Sequence, residues 1–189
     1  MFLSEDDLSL IKKAFYKEKE KTLSSGEKPK AYTTGISPTL NPMMLNILGR
    51  YLDLSGNKIY QAFLLESFIP WNVHSDYDKG DEDPTLAILI PFETVDTHTI
   101  IFDQECLGEL DGFLDSNHPI NDPETLAEHK GLLSHVNQQI LSYLTIKERA
   151  RWEEGKLISW DRKLLHCSDN FSGKGIANKS AAVLFLTKA

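Results

Sequence analysis

The chain has 189 residues, of which 41% are hydrophobic, so it is long enough for one domain with a substantial core. Its formal net charge of −8 argues against nucleic acid or an anionic membrane surface as the main partner. No apolar run approaches the roughly 20 residues of a membrane span, and the first residues lack the basic and then apolar order of a signal peptide. Cys106 and Cys167 lie far apart without metal-ligand spacing, which predicts reduced thiols in a cytoplasmic protein.

The first 54 residues predict two helices joined by a loop. Ser4 followed by Asp7 resembles a capping box, so we expect a helix to start there. Its apolar residues recur at helical spacing and form one stripe: Leu8, Ile11, Ala14 and Phe15. Residues 24–42 are rich in Gly, Pro, Ser and Thr, which predicts a loop. Asn41 and the proline after it form a favourable start for the second helix.

From Ser55 onward the pattern changes to one that is typical of strands. Aromatic and aliphatic runs separated by Gly and Asp clusters predict strands in five regions: residues 58–73, 86–92, 98–103, 156–160 and 181–187. The run LAILIPF at residues 86–92 is continuously apolar, as expected of a strand that is buried on both faces. The chain is therefore expected to be rich in β-structure, with the helices packed outside it.

Residues 103–154 predict a helical insertion between two strands. Asn121, Asp122 and Pro123 are typical of a helix start. Five apolar residues follow at helical spacing: Leu126, Leu133, Val136, Ile140 and Leu144. We therefore expect one domain over residues 1–189, mainly β with flanking helices, in which the insertion covers the sheet or shapes a pocket.

The sequence HSDY at residues 74–77 follows the first strand region and places two metal-binding side chains close together. If the strand continues from Phe68 to Tyr77, His74 and Asp76 share one face and point inward, while Trp71 points outward. Inward polar groups are costly unless they are paired or bound to a ligand. A hydrogen-bonded pair is one solution, and a metal ion that also has a third protein ligand is the other.

His166 is the candidate for that third ligand. The sequence GKLISWDRKLLH predicts a strand at residues 156–160, a tight turn at Asp161 and Arg162, and a return strand that ends at this histidine. Two histidines and one carboxylate form the facial triad of non-haem Fe(II) oxygenases, which leaves coordination positions open.

These residues give the chain a resemblance to the 2-oxoglutarate/Fe(II)-dependent dioxygenase superfamily. The resemblance covers about Lys58 to Thr187 without the insertion, and its elements occur in the family's order: HSD after a strand, LAILIPF, HTIIF, GKLISWDRKLLH, and a basic residue that opens the last strand. It implies a double-stranded β-helix core of the jelly-roll or cupin-like type. It also implies that His74, Asp76 and His166 bind Fe(II), and that 2-oxoglutarate and O₂ are cosubstrates.

The family uses a basic residue beyond the distal histidine to bind the far carboxylate of 2-oxoglutarate. No arginine follows His166, so the resemblance points to Lys179 at the start of the final strand, with Lys174 as the second candidate. A lysine offers a point charge instead of the bidentate contact of an arginine. By analogy with family members that use a tyrosine, Tyr60 is a candidate hydroxyl donor to the same carboxylate.

The resemblance implies oxidation of a small molecule or an amino-acid side chain, with release of succinate and CO₂. Halogenating relatives have a small residue where this chain has Asp76, so the aspartate favours hydroxylation or a related oxidation. Two alternatives stay open: a metal-dependent hydrolase that uses the same three residues with zinc, and a non-catalytic barrel that serves as a binding module. The sequence indicates neither the substrate nor the oligomeric state.

Overall fold

Nine β-strands and four α-helices make up the part of the chain that the structure, a computed structural model, describes: residues 1–17, 21–23, 31–35, 41–77, 83–106 and 121–189. The helices are α1 (Glu5–Lys17), α2 (Asn41–Leu48), α3 (Pro123–Leu132) and α4 (Gln138–Leu141). The strands are β1 (Lys21–Leu23), β2 (Ala31–Gly35), β3 (Asn57–Ser67), β4 (Pro84–Pro91), β5 (His98–Glu105), β6 (Ile146–Arg151), β7 (Ile158–Asp161), β8 (Leu164–Ser168) and β9 (Lys179–Lys188). A short 3₁₀ helix spans Ser172–Lys174.

The strands form two antiparallel sheets that face each other, as the predicted jelly-roll core requires. One sheet has six strands in the order β1-β2-β3-β9-β4-β7, and the other has three in the order β6-β5-β8. Apolar side chains from both sheets pack together between them: Ala87, Leu89, Ile101, Ala150, Trp152, Ile158, Trp160, Leu164, Ala181 and Val183. Because strand side chains alternate, the next residues along each strand point to the outer faces.

Helices cover both outer faces. Helices α1 and α2 pack on the six-stranded sheet, where Ile11, Phe15 and Met44 meet Ile88 and Leu184. Helices α3 and α4 pack on the three-stranded sheet, and their contact includes Leu133, Leu141, Leu144, Ile100, Phe102 and Leu165. The predicted capping signals are present, since Ser4 Oγ accepts the Asp7 N–H and Asp122 accepts from the first turn of α3. This packing buries β4 and β9 on both faces.

Three strands lie where the sequence pattern indicated other structure. Within the first 54 residues, which predicted two helices and a loop, β1 pairs with β2, and β2 also pairs with β3. Within the predicted helical insertion 103–154, β6 pairs with β5 and forms an edge of the smaller sheet. Parts of both segments, residues 24–30, 36–40 and 107–120, lie outside the described residues. In the described ranges, no helix combines the length and the apolar character that crossing a membrane requires.

The burial of α1 gives a test of the packing. Phe15 is fully buried and its ring packs edge-on against Phe92 at 5.9 Å, whereas Leu10 on the same helix is 51% exposed. Phe15→Ala is expected to lower the free energy of unfolding by about 3–5 kcal/mol, because it leaves a cavity under the helix. Leu10→Ala is the matched control and should cost less than about 0.5 kcal/mol. Urea unfolding followed by circular dichroism measures both, and equal losses would contradict the described packing.

Candidate metal centre and adjoining cavity

A pair of backbone hydrogen bonds brings His74 and His166 side by side. The His74 N–H donates to His166 O at 3.0 Å, and the His166 N–H donates to His74 O at 2.8 Å. The Asp76 N–H then donates to Arg162 O at 3.0 Å, so the segment runs antiparallel along β8. Direct partners on antiparallel strands point to the same face, which leaves the two imidazole rings 4.3 Å apart.

This arrangement corrects one detail of the sequence prediction. The strand does not continue from Phe68 to Tyr77, because β3 ends at Ser67 and the chain crosses from the six-stranded sheet to the three-stranded one. Pro70, which has no N–H to donate to a ladder, lies in that crossing. The alternation argument therefore placed His74 and Asp76 correctly relative to each other but on the wrong strand.

The three predicted ligands form one compact cluster. His166 Nε2 lies 3.3 Å from Asp76 Oδ2, and His74 Nε2 lies 3.9 Å from Asp76 Oδ1. One ligand atom from each residue can be chosen so that all three lie within 4.8 Å of one another. His166 is buried, while His74 and Asp76 are partly exposed.

The hydrogen bonds of the histidines leave their Nε2 atoms available as ligands. His74 Nδ1 lies 2.7 Å from Asn72 O, and His166 Nδ1 lies 3.1 Å from Leu164 O. A carbonyl oxygen only accepts, so each Nδ1 carries the proton and each Nε2 presents a lone pair. Such a contact to the second nitrogen fixes the tautomer and ring orientation of metal-binding histidines.

A cation fits this cluster because its facing atoms are otherwise all acceptors. Burial lowers the pKa of His166 to about 4, although the nearby Asp76 carboxylate acts in the opposite direction, so the imidazole is neutral at pH 7. Asp76 Oδ2 is buried and has no hydrogen-bond partner among the described residues. A carboxylate oxygen that faces a nitrogen lone pair at 3.3 Å is unfavourable without a cation between them. Two imidazoles and one carboxylate are ligands that suit Fe(II).

Arg162 holds the backbone of the HSD segment in place. Its side chain is 1% exposed, and its Nε and Nη2 atoms donate to Asp76 O at 3.1 and 2.6 Å. Nη1 donates to Leu186 O at 3.4 Å, and the guanidinium lies over the Phe185 ring. The sequence indicated only a turn at this position, because Arg162 lies between two other charged residues, Asp161 and Lys163.

A cavity of about 270 Å³ lies between the sheets beside the three residues. Its lining is mostly apolar and aromatic, with a few hydroxyl groups and one buried lysine: Phe63, Leu65, Ser67, Trp71, His74, Asp76, Leu89, Thr99, Trp152, Trp160, His166, Cys167, Ser168, Lys179, Val183 and Phe185. Such a concave, mostly apolar space with a few converging polar groups is typical of a small-molecule site.

Lys179, the first candidate anchor for 2-oxoglutarate, lines this cavity. Its side chain is 1% exposed, and Nζ lies 3.9 Å from the centre of the Trp152 ring and 4.8 Å from that of Phe171. Its one described hydrogen bond, to Thr97 Oγ1, is 3.5 Å long, although an ammonium group has three N–H donors. Burial lowers the pKa of Lys179 to about 7, and the nearby Asp169 partly opposes this shift. Among the described residues, no carboxylate contacts this ammonium group directly.

The other two predicted cosubstrate residues lie elsewhere. Lys174 Nζ donates to Asp169 Oδ2 at 2.9 Å and to Asp96 O at 3.0 Å, and the side chain does not line the cavity. Tyr60 is 54% exposed and its ring packs on the guanidinium of Arg162, away from Lys179. A register irregularity between Ile59 and Gln61 interrupts the alternation of β3 at this point.

Trp71 also lies on the opposite side from the predicted one. It lines the cavity, with its ring 5.8 Å from that of His74, and its Nε1 donates to Ser67 Oγ at 3.1 Å. The sequence analysis expected it to point outward because residues 68–77 were taken as one strand. The segment between Ser67 and His74 is irregular, so alternation does not apply to it.

The contacts of Arg162 predict a role in metal binding. Arg162→Met removes the donors to Asp76 O, so the affinity for Mn(II) should fall about 10- to 100-fold, as is typical when a group that orients a metal ligand is lost. Arg149, which pairs with Glu128 on the surface, provides the matched control Arg149→Met, which should bind Mn(II) like the parent protein. Calorimetric titration with Mn(II) measures the affinity of each variant, and cooperative unfolding shows beforehand that the variant is folded. Unchanged affinity in a folded Arg162→Met protein would show that the guanidinium does not hold the ligand.

Comparisons with known proteins agree on the fold. No family model and no curated protein sequence matches this sequence. Among solved structures, it is similar to the non-haem α-ketoglutarate-dependent carbocyclase SnoK from nogalamycin biosynthesis, with 13% identity and a TM-score of 0.64 over 99% of this chain and 77% of that one. The epimerase SnoN, solved with Fe³⁺, α-ketoglutarate and nogalamycin RO, has 11% identity and a TM-score of 0.59 over 99% of this chain and 76% of that one. A Pseudomonas putida prolyl-4-hydroxylase has 9% identity and a TM-score of 0.55 over 100% of this chain and 89% of that one.

These similarities extend along almost the whole chain. At such low identity they establish a shared fold, so the double-stranded β-helix that the sequence analysis expected is confirmed. The predicted resemblance to the 2-oxoglutarate/Fe(II) oxygenases is confirmed as a resemblance of fold. Fold alone does not assign a reaction, which has to be argued from the site.

Proposed function

We propose that the protein is an Fe(II)- and 2-oxoglutarate-dependent dioxygenase that hydroxylates a small molecule or an amino-acid side chain. One observation carries the proposal: the cluster of His74, Asp76 and His166 opens into the same cavity as the buried ammonium of Lys179. A chelating dicarboxylate needs a metal with free coordination positions at one end and a cation for its far carboxylate at the other. The three structures compared above share the fold; two of them, SnoK and SnoN, are named with α-ketoglutarate, and the third is named a prolyl-4-hydroxylase.

The three side chains supply the ligands for Fe(II). The two imidazoles bind through neutral Nε2 atoms, and Asp76 contributes the negative charge. Bound Fe(II) and 2-oxoglutarate supply oxygen activation, coupled to oxidative decarboxylation of 2-oxoglutarate to succinate and CO₂. Asp76 argues against halogenation and so leaves hydroxylation or a related oxidation, because its carboxylate takes the position that would otherwise be open to another anion.

Lys179 and its surroundings suit the far carboxylate of 2-oxoglutarate. Ser67 is the direct cross-strand partner of Lys179, and Thr99 is that of Ser168, so three hydroxyl groups line the same cavity as the ammonium. The Trp152 and Phe171 rings flank Nζ and exclude water from it. A charge-assisted hydrogen bond is strong in such a setting, and the carboxylate would supply the anionic partner that no residue in the described part of the chain offers Lys179.

We also propose that the protein works in the reducing environment of the cytoplasm. Cys106 and Cys167 are both buried and form no disulfide. Burial raises the pKa of the Cys167 thiol, which keeps it protonated and unreactive. Cys167 lines the cavity but takes no part in the proposed chemistry.

Replacing the proposed iron ligands tests the reaction. Asp76→Ala and His166→Ala should each reduce O₂-dependent succinate formation to background, because two remaining ligands do not hold Fe(II) in the required geometry. The surface variant Asp53→Ala is the control and should retain the parent rate. Succinate is measured after incubation with Fe(II), 2-oxoglutarate and O₂, and the visible charge-transfer band is recorded anaerobically. Succinate formation by both ligand variants would contradict the scheme, and tightly bound zinc without 2-oxoglutarate binding would favour a hydrolase.

The pKa of Lys179 predicts how 2-oxoglutarate binding depends on pH. In the ligand-free protein Lys179 has a pKa of about 7. A bound carboxylate beside it would raise that pKa, so binding of 2-oxoglutarate takes up a proton above pH 7. The affinity of the Mn(II)-loaded protein for 2-oxoglutarate should therefore fall as the pH rises from 7 to 9, by up to about tenfold per pH unit.

Two variants provide the controls for this pH profile. Lys179→Arg keeps its charge at these pH values, so it should bind 2-oxoglutarate with little dependence on pH. Lys179→Met should bind it weakly at every pH, since it has no charge to offer. Parallel pH profiles for the parent protein and Lys179→Arg would mean that another group controls the binding.

A further inference from the structure

Asp169 follows directly after β8, the strand that carries His166, and its side chain is fully buried. The Asp169 N–H donates to His98 O at 3.0 Å, which joins this position to the start of β5. Burial alone would raise the pKa of Asp169, but hydrogen bonds from Thr97, Lys174 and His98 outweigh burial and lower it. Asp169 is therefore a negative charge inside the protein at pH 7, and the proposed chemistry of the site assigns it no role.

The two carboxylate oxygens of Asp169 have different surroundings. Oδ2 lies 3.1 Å from His98 Nδ1 and accepts from Lys174 Nζ at 2.9 Å, and these two side chains are 25% and 35% exposed. Oδ1 accepts a hydrogen bond from Thr97 Oγ1, and Thr97 is fully buried. One oxygen is therefore held by groups that reach the surface, while the other is directed into the core.

Thr97 connects the inner oxygen of Asp169 to Lys179. A threonine hydroxyl has one proton, and Thr97 donates this proton to Asp169. The lone pairs of the same hydroxyl oxygen are left to accept, and Lys179 Nζ donates to it at 3.5 Å. Hydrogen bonds in such a chain polarise one another, so the negative charge of Asp169 makes Thr97 Oγ1 a better acceptor for the ammonium group.

The charges around Lys179 in the described part of the chain act in the same sense. Burial lowers its pKa, Asp169 opposes this effect, and Lys174 acts in the direction of burial to a smaller extent. Cys167 and His135 also lie close. Burial raises the pKa of the thiol and lowers that of the imidazole, so both are neutral between pH 7 and pH 8. Asp169 is thus the main described group that favours the charged form of the lysine.

A buried lysine needs such support more than a buried arginine does. An arginine stays charged when it is buried, whereas a lysine readily loses its proton and then has no charge to offer an anion. We infer that Asp169, acting through the hydroxyl of Thr97, is a positioning residue that holds the ammonium group of Lys179 in place for the far carboxylate of 2-oxoglutarate. The inference rests on the proposed function and deepens it, because neither Asp169 nor Thr97 lines the cavity.

Asp169→Asn tests the charge while it keeps the shape of the side chain. Without the carboxylate, Lys179 should lose its proton about one pH unit lower than in the parent protein. The Mn(II)-loaded variant should therefore bind 2-oxoglutarate within about twofold of the parent at pH 6 but about tenfold more weakly at pH 8. Calorimetric titration at both pH values measures the affinities. Asp53→Asn, which removes an exposed carboxylate, is the control and should match the parent at both.

The same substitution in the Lys179→Arg background shows which group Asp169 acts on. The arginine keeps its charge between pH 6 and pH 8, so adding Asp169→Asn should change the affinity for 2-oxoglutarate by the same factor at both. A pH-dependent loss in that background would mean that Asp169 acts on another group, such as His98. An equal loss at pH 6 and pH 8 in the protein with Lys179 would mean that Asp169 is merely structural. Either result would overturn the inference.

Thr97 provides a matched pair of variants for the connecting hydroxyl. Thr97→Val has nearly the same shape but no hydroxyl, so it should weaken the binding of 2-oxoglutarate about 3- to 10-fold, as expected for the loss of one hydrogen bond. Thr97→Ser keeps the hydroxyl and should bind 2-oxoglutarate like the parent protein. Equal affinities of the two variants would show that the hydroxyl is not the connection between Asp169 and Lys179.

These measurements also separate a failure of the inference from a failure of the proposed function. If the Mn(II)-loaded parent binds 2-oxoglutarate and the Asp169 and Thr97 variants bind it with an unchanged pH profile and affinity, the inference is wrong and the proposed function stands. If the parent does not bind 2-oxoglutarate, the proposed function is wrong and the inference falls with it. Should Asp169→Asn fail to fold, the comparison of Thr97→Val with Thr97→Ser still decides whether this chain of hydrogen bonds holds the lysine.

Discussion

The site depends on two backbone hydrogen bonds, those that join His74 and His166. They attach a short segment to the edge of the three-stranded sheet and make two residues far apart in sequence direct cross-strand neighbours. Their side chains then point to the same face, and Asp76, two residues further on, joins them there. The buried guanidinium of Arg162 holds the carbonyl of Asp76 and so secures the same segment from its other end.

The site also contains buried polar groups whose local energetics are unfavourable. Asp76 Oδ2, the indole N–H of Trp160 and the ammonium of Lys179 are all buried, and each lacks the partner its chemistry calls for in the described structure. Such groups destabilise a fold unless a ligand completes them. Two of them, Asp76 Oδ2 and the Lys179 ammonium, belong to residues that line one cavity, which fits a protein that is completed there by a metal and a dicarboxylate.

The sequence grouped the candidate ligands better than it described their surroundings. His74, Asp76 and His166 could be proposed together because spacing within a strand and a hairpin is a local property, whereas Lys179 was a candidate through the family resemblance alone. The path of the chain between Ser67 and His74 could not, since it depends on a crossing between sheets that no periodicity reveals. For the same reason the direction of Trp71 was wrong.

Two kinds of tertiary information were also missing from the sequence. Strand β6 has the sequence IKERAR, in which Ala150 alone is buried, so it gives no strand pattern although it lies at a sheet edge. The role of Arg162 depends on the HSD segment, which is remote in sequence. By contrast, β4 and β9 carry long apolar runs because helices or the second sheet cover both of their faces, and such runs were readily predicted.

The most direct test of the central claim is a crystal structure of the protein prepared without oxygen in the presence of Fe(II) and 2-oxoglutarate. We expect anomalous density for iron bonded to Nε2 of His74, Nε2 of His166 and a carboxylate oxygen of Asp76, with the far carboxylate of 2-oxoglutarate on Lys179 Nζ. Iron bound at other residues, or a 2-oxoglutarate molecule outside the cavity, would contradict the account.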